Sequence, residues 1–319
     1  MRALVLLLCI FFLSISFSAF CQYEDSNYVA DYSKGNNVEL SNLYNSVRLH
    51  FLTKGKDVST FDFFTNNGLF SGIYLDYKWL TLGYGINVPF TSRDNSVKGF
   101  KSYRLHFNSY YHGWGVAVGG DVYKGLLSQT YKSIYTPIDG VKYTSIYGDF
   151  FRVANAGHYS YKAAQYFGQQ QLRSCGSFLY HIRPYYYSLG LQTSPSSTSD
   201  SIQNFINGNP RWLSLITSVG YGYNLVWNNG QWLVGPRLEA GLGGLYQFGI
   251  ENKVRASAFF RTALSAGYST GNVYLYVDAE TNNTTNFFAS TILSDDRLRV
   301  SLTAGYRLLS LKKKILGLL

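Results

Sequence analysis

Residues 254–268, 273–280 and 297–308 form three successive segments in which apolar and polar side chains alternate. In the first segment Leu264 shares one parity with the other apolar residues, while Arg261 shares the opposite parity with the polar ones. Successive side chains of a β-strand point to opposite faces. Each segment therefore predicts a strand with one apolar face and one charged face.

A soluble sandwich and a membrane barrel both produce this alternation, so strand length has to separate them. Soluble strands usually have about five or six residues, whereas a tilted membrane-spanning strand needs about 9 to 11. The three segments match the longer class. They favour a transmembrane barrel with the apolar face toward lipid and the charged face toward the lumen.

Ten further segments continue the pattern. They are residues 45–53, 57–65, 69–77, 80–88, 100–111, 114–122, 143–152, 176–187, 213–225 and 232–242. Bacterial single-chain barrels have an even number of strands, so thirteen candidates predict about 12, with 10–14 possible. Residues 45–53 are the doubtful strand. The expected fold is an all-β, transmembrane, antiparallel up-and-down β-barrel forming one domain.

Residues 1–21 are predicted to be a signal peptide, because Arg2 precedes an apolar core and Ala19 and Cys21 lie at the positions that signal peptidase reads. Cleavage is expected between Cys21 and Gln22. The alternatives are an uncleaved anchor and lipoprotein processing at Cys21. Mature Cys175 then has no partner in the chain, so disulfides do not hold this fold together.

The remaining chain divides into a periplasmic lead-in at 22–44, the barrel at 45–311 and a basic tail at 312–319. Long loops at 89–99, 124–142, 192–211 and 283–296 are expected outside, with tight turns such as Asn66-Asn67-Gly68 and Asn228-Asn229-Gly230. Residues 153–174 break this rule as a long segment on the turn side. Either the flanking strands extend into it, or it folds inward as a constriction.

Five tryptophans are predicted to be interfacial aromatic residues, which fits a chain that is 18% aromatic with 29 Tyr. They are Trp79, Trp114, Trp227 and Trp232 near one rim, and Trp212 near the other.

The formal net charge is +10 at pH 7. The basic residues are dispersed along strands and not clustered in a known module, which excludes a nucleic-acid partner. An anionic solute or a lipid headgroup fits the charge better.

The charged parity supplies a set of candidate lumen-lining residues. They are Arg104, His106, Asp121, His181, Arg183, Arg237, Glu239, Arg255, Arg261, Asp278, Glu280, Arg299 and Arg307. In one interpretation they form a paired, hydrogen-bonded network that fills the barrel, since isolated buried charges are costly. In the other they form a basic constriction that passes small anionic solutes.

His158 and Ser160 are the one pair that suggests catalysis. In an extended segment both side chains point the same way, so the imidazole could take the hydroxyl proton as a general base. Such a His-x-Ser pair is similar to that of outer-membrane phospholipases and lipid A deacylases. No catalytic residue is assigned in the main interpretation, and the sequence implies no cofactor or metal, because the five His residues have no ligand spacing.

Three short stretches carry a resemblance to a known family. Residues 156–164 (AGHYSYKAA), 175–178 (CGSF) and 220–224 (GYGYN) resemble an uncharacterised outer-membrane barrel family, domain of unknown function family 4421. The resemblance implies an outer-membrane location and a barrel along nearly the whole mature chain. It implies no activity.

Three functional hypotheses follow for an outer-membrane protein of a Gram-negative bacterium. The first is a non-enzymatic pore, transport or structural barrel with a charged lumen. The second is a lipid hydrolase using His158 and Ser160, and the third is a surface-binding or adhesion barrel acting through its external loops. The expected partners are outer-membrane lipid, small anionic solutes and the barrel-assembly machinery.

Overall fold

The structure is a computed structural model that describes residues 24–31, 36–54, 60–77, 80–94, 101–131, 134–165, 168–190, 207–249 and 253–308. Within these ranges the chain is almost entirely β. The strands are β1 Val29–Asp31, β2 Asn36–Thr53, β3 Thr60–Phe64, β4 Leu69–Tyr77, β5 Leu80–Asn87, β6 Lys101–Tyr111, β7 Trp114–Tyr131, β8 Ile134–Val153, β9 Gln169–Gln171, β10 Cys175–Gly190, β11 Arg211–Trp227, β12 Trp232–Gln247, β13 Val254–Ser269, β14 Val273–Phe287 and β15 Thr291–Leu308. One short helix, α1, spans Tyr161–Gln165.

Ten antiparallel strands close into a ring, in the order β2, β3, β7, β8, β10, β11, β12, β13, β14 and β15. The last strand pairs with β2 from Thr291 opposite Thr53 to Leu308 opposite Asn36. Closure leaves no open edge at this junction, as a bilayer requires. The predicted antiparallel barrel is confirmed.

Three extra strands widen one half of the wall. β3 pairs with residues 48–52 of β2, and β4 pairs with residues 37–44. β5 is hydrogen-bonded to β4, and β6 to β7, so this half holds more strands than the half where β3 reaches β7 directly.

Asn66-Asn67-Gly68 was expected to be a hairpin turn, and that expectation is wrong. β3 and β4 both pair antiparallel with β2, at successive parts of that strand. The tripeptide therefore interrupts one continuous path along β2 and does not reverse the chain. Asn66 instead receives a hydrogen bond from the Asp94 amide to its side-chain oxygen, at 2.9 Å. The second predicted turn, at 228–230, has the expected positive φ at all three residues.

The alternation of the sequence maps onto the wall as expected. Along β11, Leu213, Val219 and Tyr221 are exposed outward, whereas Ser214 and Ser218 are buried inside. An apolar exterior around a polar interior is the arrangement of a membrane barrel and the reverse of a soluble one. Among the described residues, no helix is long and apolar enough to span a membrane.

The barrel has a turn end, defined by the tight turns at residues 112–113, 228–230 and 270–272, and a loop end opposite. At the loop end the interior is an apolar core that includes Phe51, Phe63, Tyr143, Tyr187 and Phe288. Packed side chains, not water, occupy this part of the lumen.

Trp212 belongs to this core and does not lie at the membrane interface, so its interfacial assignment is wrong. It is 1% exposed, and its ring stacks on Tyr187 at 5.1 Å and meets Phe288 edge-on at 5.3 Å. Its even number puts it on the inner face of β11. Trp114, Trp227 and Trp232 face outward at the turn end, while Trp79 lies outside the described residues.

Residues 153–174 fold inward, which was one of the two expectations for them. Tyr159 and Tyr161 are buried, and β9 pairs with β1 from the N-terminal segment. We call residues 24–31, 154–165 and 168–174 the plug. The tight turn after β11 packs against the plug. Gly230 in this turn lies so close to Gln171 that a Cβ at position 230 would collide with the Gln171 carbonyl oxygen.

Several predicted boundaries need correction. Residues 124–142 and 283–296 are not external loops but mostly continue as the paired strands β7–β8 and β14–β15 beyond the apolar belt. The lead-in at 22–44 is also wrong in part, since β2 begins at Asn36 and contains the doubtful strand 45–53. The signal peptide 1–21, most of the 192–211 loop and the tail 312–319 lie outside the described residues.

Trp212→Ala is expected to lower the free energy of unfolding by about 3–5 kcal/mol, because it leaves a cavity in a packed core. Denaturant unfolding in detergent micelles measures the change. Trp227→Ala is the matched control, since that ring is 47% exposed on the outer wall. Equal losses in the two variants would contradict the assignment of Trp212 to the core.

Candidate functional site

The middle of the lumen holds a lattice of charged side chains between the apolar core and the plug. We call it the lumen lattice. Its members are Asp149 of β8, His181 and Arg183 of β10, Arg237 and Glu239 of β12, Arg261 of β13 and Glu280 of β14. Each occupies the inward parity of its strand, so the period of two brings them together across the barrel.

Arg183 is the centre of the lumen lattice. Its guanidinium lies 2.6 Å from Glu239 Oε2 and 3.0 Å from Asp149 Oδ2, and it donates to Ser218 Oγ at 2.7 Å. The same group lies 4.5 Å from the ring centroid of Phe259. A side chain that is 1% exposed thus has two carboxylates, a hydroxyl and an aromatic face around it.

His181 lies between the same two acids. Its Nδ1 is 2.8 Å from Asp149 Oδ1, and its Nε2 is 3.6 Å from Glu239 Oε1. The imidazole also stacks on Phe151 with 5.2 Å between ring centroids. The ring is therefore held from two sides and has no access to bulk water.

Arg261 and Arg237 extend the lattice to β14. Arg261 Nη2 lies 2.6 Å from Glu280 Oε2, and Arg237 Nη2 lies 3.4 Å from the same oxygen. Arg237 is also 5.4 Å from the ring centroid of Tyr161 in α1. The plug thus packs directly against the lattice.

The charges of the lumen lattice balance. Three arginines, Arg183, Arg237 and Arg261, face the three acids Asp149, Glu239 and Glu280. A buried charge is tolerable when it is paired and hydrogen-bonded. The geometry corresponds to a paired network and not to a ring of unopposed arginines.

A second cluster lies nearer the loop end. Arg297 contacts Asp121 at 2.8 Å and Asp295 at 2.7 Å, and it donates to Ser145 Oγ at 2.9 Å. Tyr143 donates its hydroxyl to Asp295 Oδ2 at 2.7 Å. Here two acids surround one arginine beside the apolar core.

At the turn end, Arg307 is 1% exposed and lies 4.7 Å from the ring centroid of Tyr274. It donates to Ser269 Oγ at 2.9 Å and to the carbonyl oxygen of Thr270. Arg307 therefore ties the last strand to the turn between β13 and β14.

The other predicted lumen residues are more scattered. His106 contacts the Tyr147 hydroxyl at 3.0 Å, and Asp278 accepts from Ser265 at 3.5 Å. Arg255 is partly buried and Arg299 is exposed, while the side chain of Arg104 lies outside the described residues. Arg299 is the register partner of Glu280 in the lumen lattice.

The lumen-lining residues predicted from the sequence did not include Asp149, Asp295 and Arg297. Arg297 has the same parity as Arg299 and Arg307, which is a signal that could have found it. Asp149 lies in a segment with weak alternation, and only its pairing with His181 reveals its role. Among the described residues, no group of three or more His, Cys, Asp or Glu is placed to hold a metal ion.

His158 and Ser160 lie in the plug, and no hydrogen bond joins them. The Ser160 hydroxyl donates to Gln169 Oε1 at 2.5 Å and accepts from the Ala163 amide at 3.0 Å, so it is the N-cap of α1. His158 Nε2 instead lies 3.6 Å from Asp25 Oδ2.

Local hydrogen bonds and burial set the pKa values in the plug. The backbone amide of Asn27 lowers the pKa of Asp25, and His158 acts in the same direction. Burial raises the pKa of the Tyr159 hydroxyl. Neither shift gives Ser160 a general base.

A closed ring with an apolar exterior, a charged interior and tight turns at one end defines an outer-membrane β-barrel. The chain belongs to the family "Domain of unknown function (DUF4421)", whose model matches residues 23–308. The predicted family and location are thereby confirmed. No curated protein matches the chain.

Solved structures with similar folds are also outer-membrane proteins. The outer membrane protease OmpT from Escherichia coli is 11% identical with a TM-score of 0.41, covering 86% of this chain and 97% of its own. The β domain of the Bordetella autotransporter BrkA is 10% identical with a TM-score of 0.35, covering 86% and 99%. An outer membrane channel from Pseudomonas putida F1 is 9% identical with a TM-score of 0.33, covering 89% and 99%. These likenesses carry no inference about activity.

Arg183→Ala is expected to lower the free energy of unfolding by about 3–5 kcal/mol, because it leaves Glu239 and Asp149 as uncompensated buried charges. Thermal or denaturant unfolding in micelles measures this. Arg211→Ala is the control, since that arginine is exposed at the loop end of β11. A loss below about 1 kcal/mol for Arg183→Ala would contradict the paired network, because breaking a buried pair costs more than this.

Ser160→Ala is expected to cost about 1 kcal/mol of stability through the lost helix cap, whereas Ser160→Thr keeps the cap. Neither native protein nor variant is expected to hydrolyse phospholipid in mixed micelles, because His158 does not contact the hydroxyl. Release of fatty acid by the native protein that Ser160→Ala abolishes would refute the structural role.

Proposed function

We propose that this protein is a non-enzymatic structural barrel of the outer membrane whose lumen is filled and does not conduct. The observation that carries the proposal is the charge-balanced lumen lattice, which crosses the interior from Asp149 on β8 to Glu280 on β14. An anion-selective pore built from a ring of basic side chains needs unopposed positive charge along an open path. Here each arginine of the lattice has a carboxylate.

The apolar core supports the proposal from the loop end. Tyr143, Tyr187 and Trp212 form a continuous stack, with ring centroids 6.2 Å and 5.1 Å apart. An anion that crossed this layer would lose most of its hydration among tightly packed aromatic rings, which is costly. The layer favours closure to small anionic solutes.

The plug supports it from the turn end. Gln171 donates to the carbonyl oxygen of His158 at 2.6 Å, and Asn224 of β11 donates to that of Ser160 at 2.9 Å. The inward glycine Gly222, which could have left space for a pore, faces the Tyr159 hydroxyl, with which a Cβ would collide. The space along this wall is therefore occupied by protein.

Assembly in the membrane follows from the same architecture. A barrel that buries charged side chains inside and exposes leucines outside needs lipid around it and, in the cell, the barrel-assembly machinery. Membrane lipid and that machinery are the partners of this proposal.

The purified protein is expected to give no single-channel steps in planar lipid bilayers, because no charged solute path crosses the apolar core. A porin reconstituted in parallel is the positive control. Regular steps whose anion selectivity falls with Arg261→Gln would overturn the proposal and establish the pore for small anionic solutes instead. Steps at the background frequency of protein-free bilayers would support it.

A further inference from the structure

Three lysines lie side by side in one row across the wall. Lys101 of β6 is the register partner of Lys124 of β7, and Lys124 is the register partner of Lys142 of β8. We call Lys124 and Lys142 the lysine row. Like charges directly opposite each other in a sheet are destabilising. The arrangement therefore opposes folding unless something else compensates it.

The protein itself supplies little compensation. The side chains of Lys124 and Lys142 are exposed, and Lys124 Nζ lies 5.9 Å from the ring centroid of Tyr103. Among the residues that the structure describes, no carboxylate forms an ion pair with either ammonium. The positive charge is thus available to an external anion.

The lysine row lies at the loop-end margin of the apolar belt. Toward the turn end, the same three strands expose large apolar side chains on the outer wall. These are Tyr103, Leu105, Phe107, Val118, Ile146 and Phe150. Tight turns mark the periplasmic end of such barrels, so the loop end and the lysine row lie on the side of the outer leaflet.

Basic residues on the neighbouring β2–β3 face are neutralised by an acid. On β2, Arg48 is 2.8 Å from Asp62, and the same carboxylate lies 2.7 Å from His50. Arg93 adds positive charge near β8, where its guanidinium lies 5.3 Å from the ring centroid of Tyr135. The β6–β8 face thus carries register-paired positive charge, whereas the positive charge of Arg48 on the β2–β3 face is neutralised.

We propose that the lysine row binds the phosphate groups of a phosphorylated lipid headgroup in the outer leaflet. Neighbouring strands are about 4.8 Å apart, so two flexible ammonium groups from adjacent strands can reach one phosphate. The acyl chains of the same lipid would cover Leu105 and Ile146 below. A free phosphate lacks this second contact, so a phosphorylated lipid fits this face better than a free phosphate does.

The test compares Lys124→Gln/Lys142→Gln with the native protein in detergent, using bisphosphorylated lipid A as the probe and native mass spectrometry to count bound lipid. Each lysine near an anionic surface contributes about 1 kcal/mol, so the double variant is expected to bind roughly thirtyfold more weakly. Lipid A without its phosphates is expected to bind the native protein as weakly as bisphosphorylated lipid A binds the double variant.

The matched control is Arg211→Gln/Lys253→Gln, which removes the same charge from exposed loop-end positions on another face. It is expected to bind like the native protein. Equal binding by the lysine variant, equal loss in the control, or equal binding of stripped lipid A would each overturn the proposal.

A second measurement separates binding from folding. In detergent without lipid A, Lys124→Gln/Lys142→Gln is expected to unfold at the native temperature or above it, because a like-charge contact is removed. Its stabilisation by added lipid A is expected to shrink relative to that of the native protein. A lower unfolding temperature without lipid would mean that the lysines serve an internal contact, and it would also overturn the proposal.

Discussion

The rest of the structure depends on the closure of one ring of backbone hydrogen bonds. In lipid, an unpaired N–H or C=O group has no water to satisfy it, so a sheet can cross the bilayer only when its first and last strands pair. Here β15 and β2 meet along the whole of both strands. Closure then creates two surfaces. The outer surface faces lipid and must be apolar, and the inner surface is cut off from solvent.

The inner surface follows from that enclosure. Arg183 and Glu239 are almost without solvent contact, so their charges are stable only as partners. The same argument explains why the apolar core at the loop end excludes charge and why the plug fills the turn end. Apolar core, lumen lattice and plug together fill much of the lumen with protein, which is the basis for the proposed structural and non-conducting role.

The outer surface shows a different balance. Below the margin it is apolar, and at the margin Arg48 is paired with Asp62. Lys124 and Lys142 differ from Arg48, because they stand opposite each other and no carboxylate in the described part of the chain forms an ion pair with them. A sheet that keeps such a contact gains from an anion that the membrane itself can supply.

The sequence by itself determined the class of fold, because side-chain parity in a strand is a local property. The period of two in β13 and β15, and the positive φ favoured by Asn228-Asn229-Gly230, need no distant contacts to be recognised. The same parity predicts Arg183, Arg237 and Glu239 on the inner face, and all three side chains are buried. Those three needed only the strand pattern to be found.

Tertiary structure decided which inward residues meet. Asp149 joins His181 only because β8 pairs with β10, and Trp212 is buried because Tyr187 and Phe288 lie beside it. Asn66-Asn67-Gly68 does not form the hairpin turn that its residues favour, because β3 and β4 both pair with one strand, β2. Ser160 is a helix cap because of the conformation that the plug adopts inside the lumen. Register and inward folding depend on contacts between residues far apart in the chain, and local alternation carries no information about them.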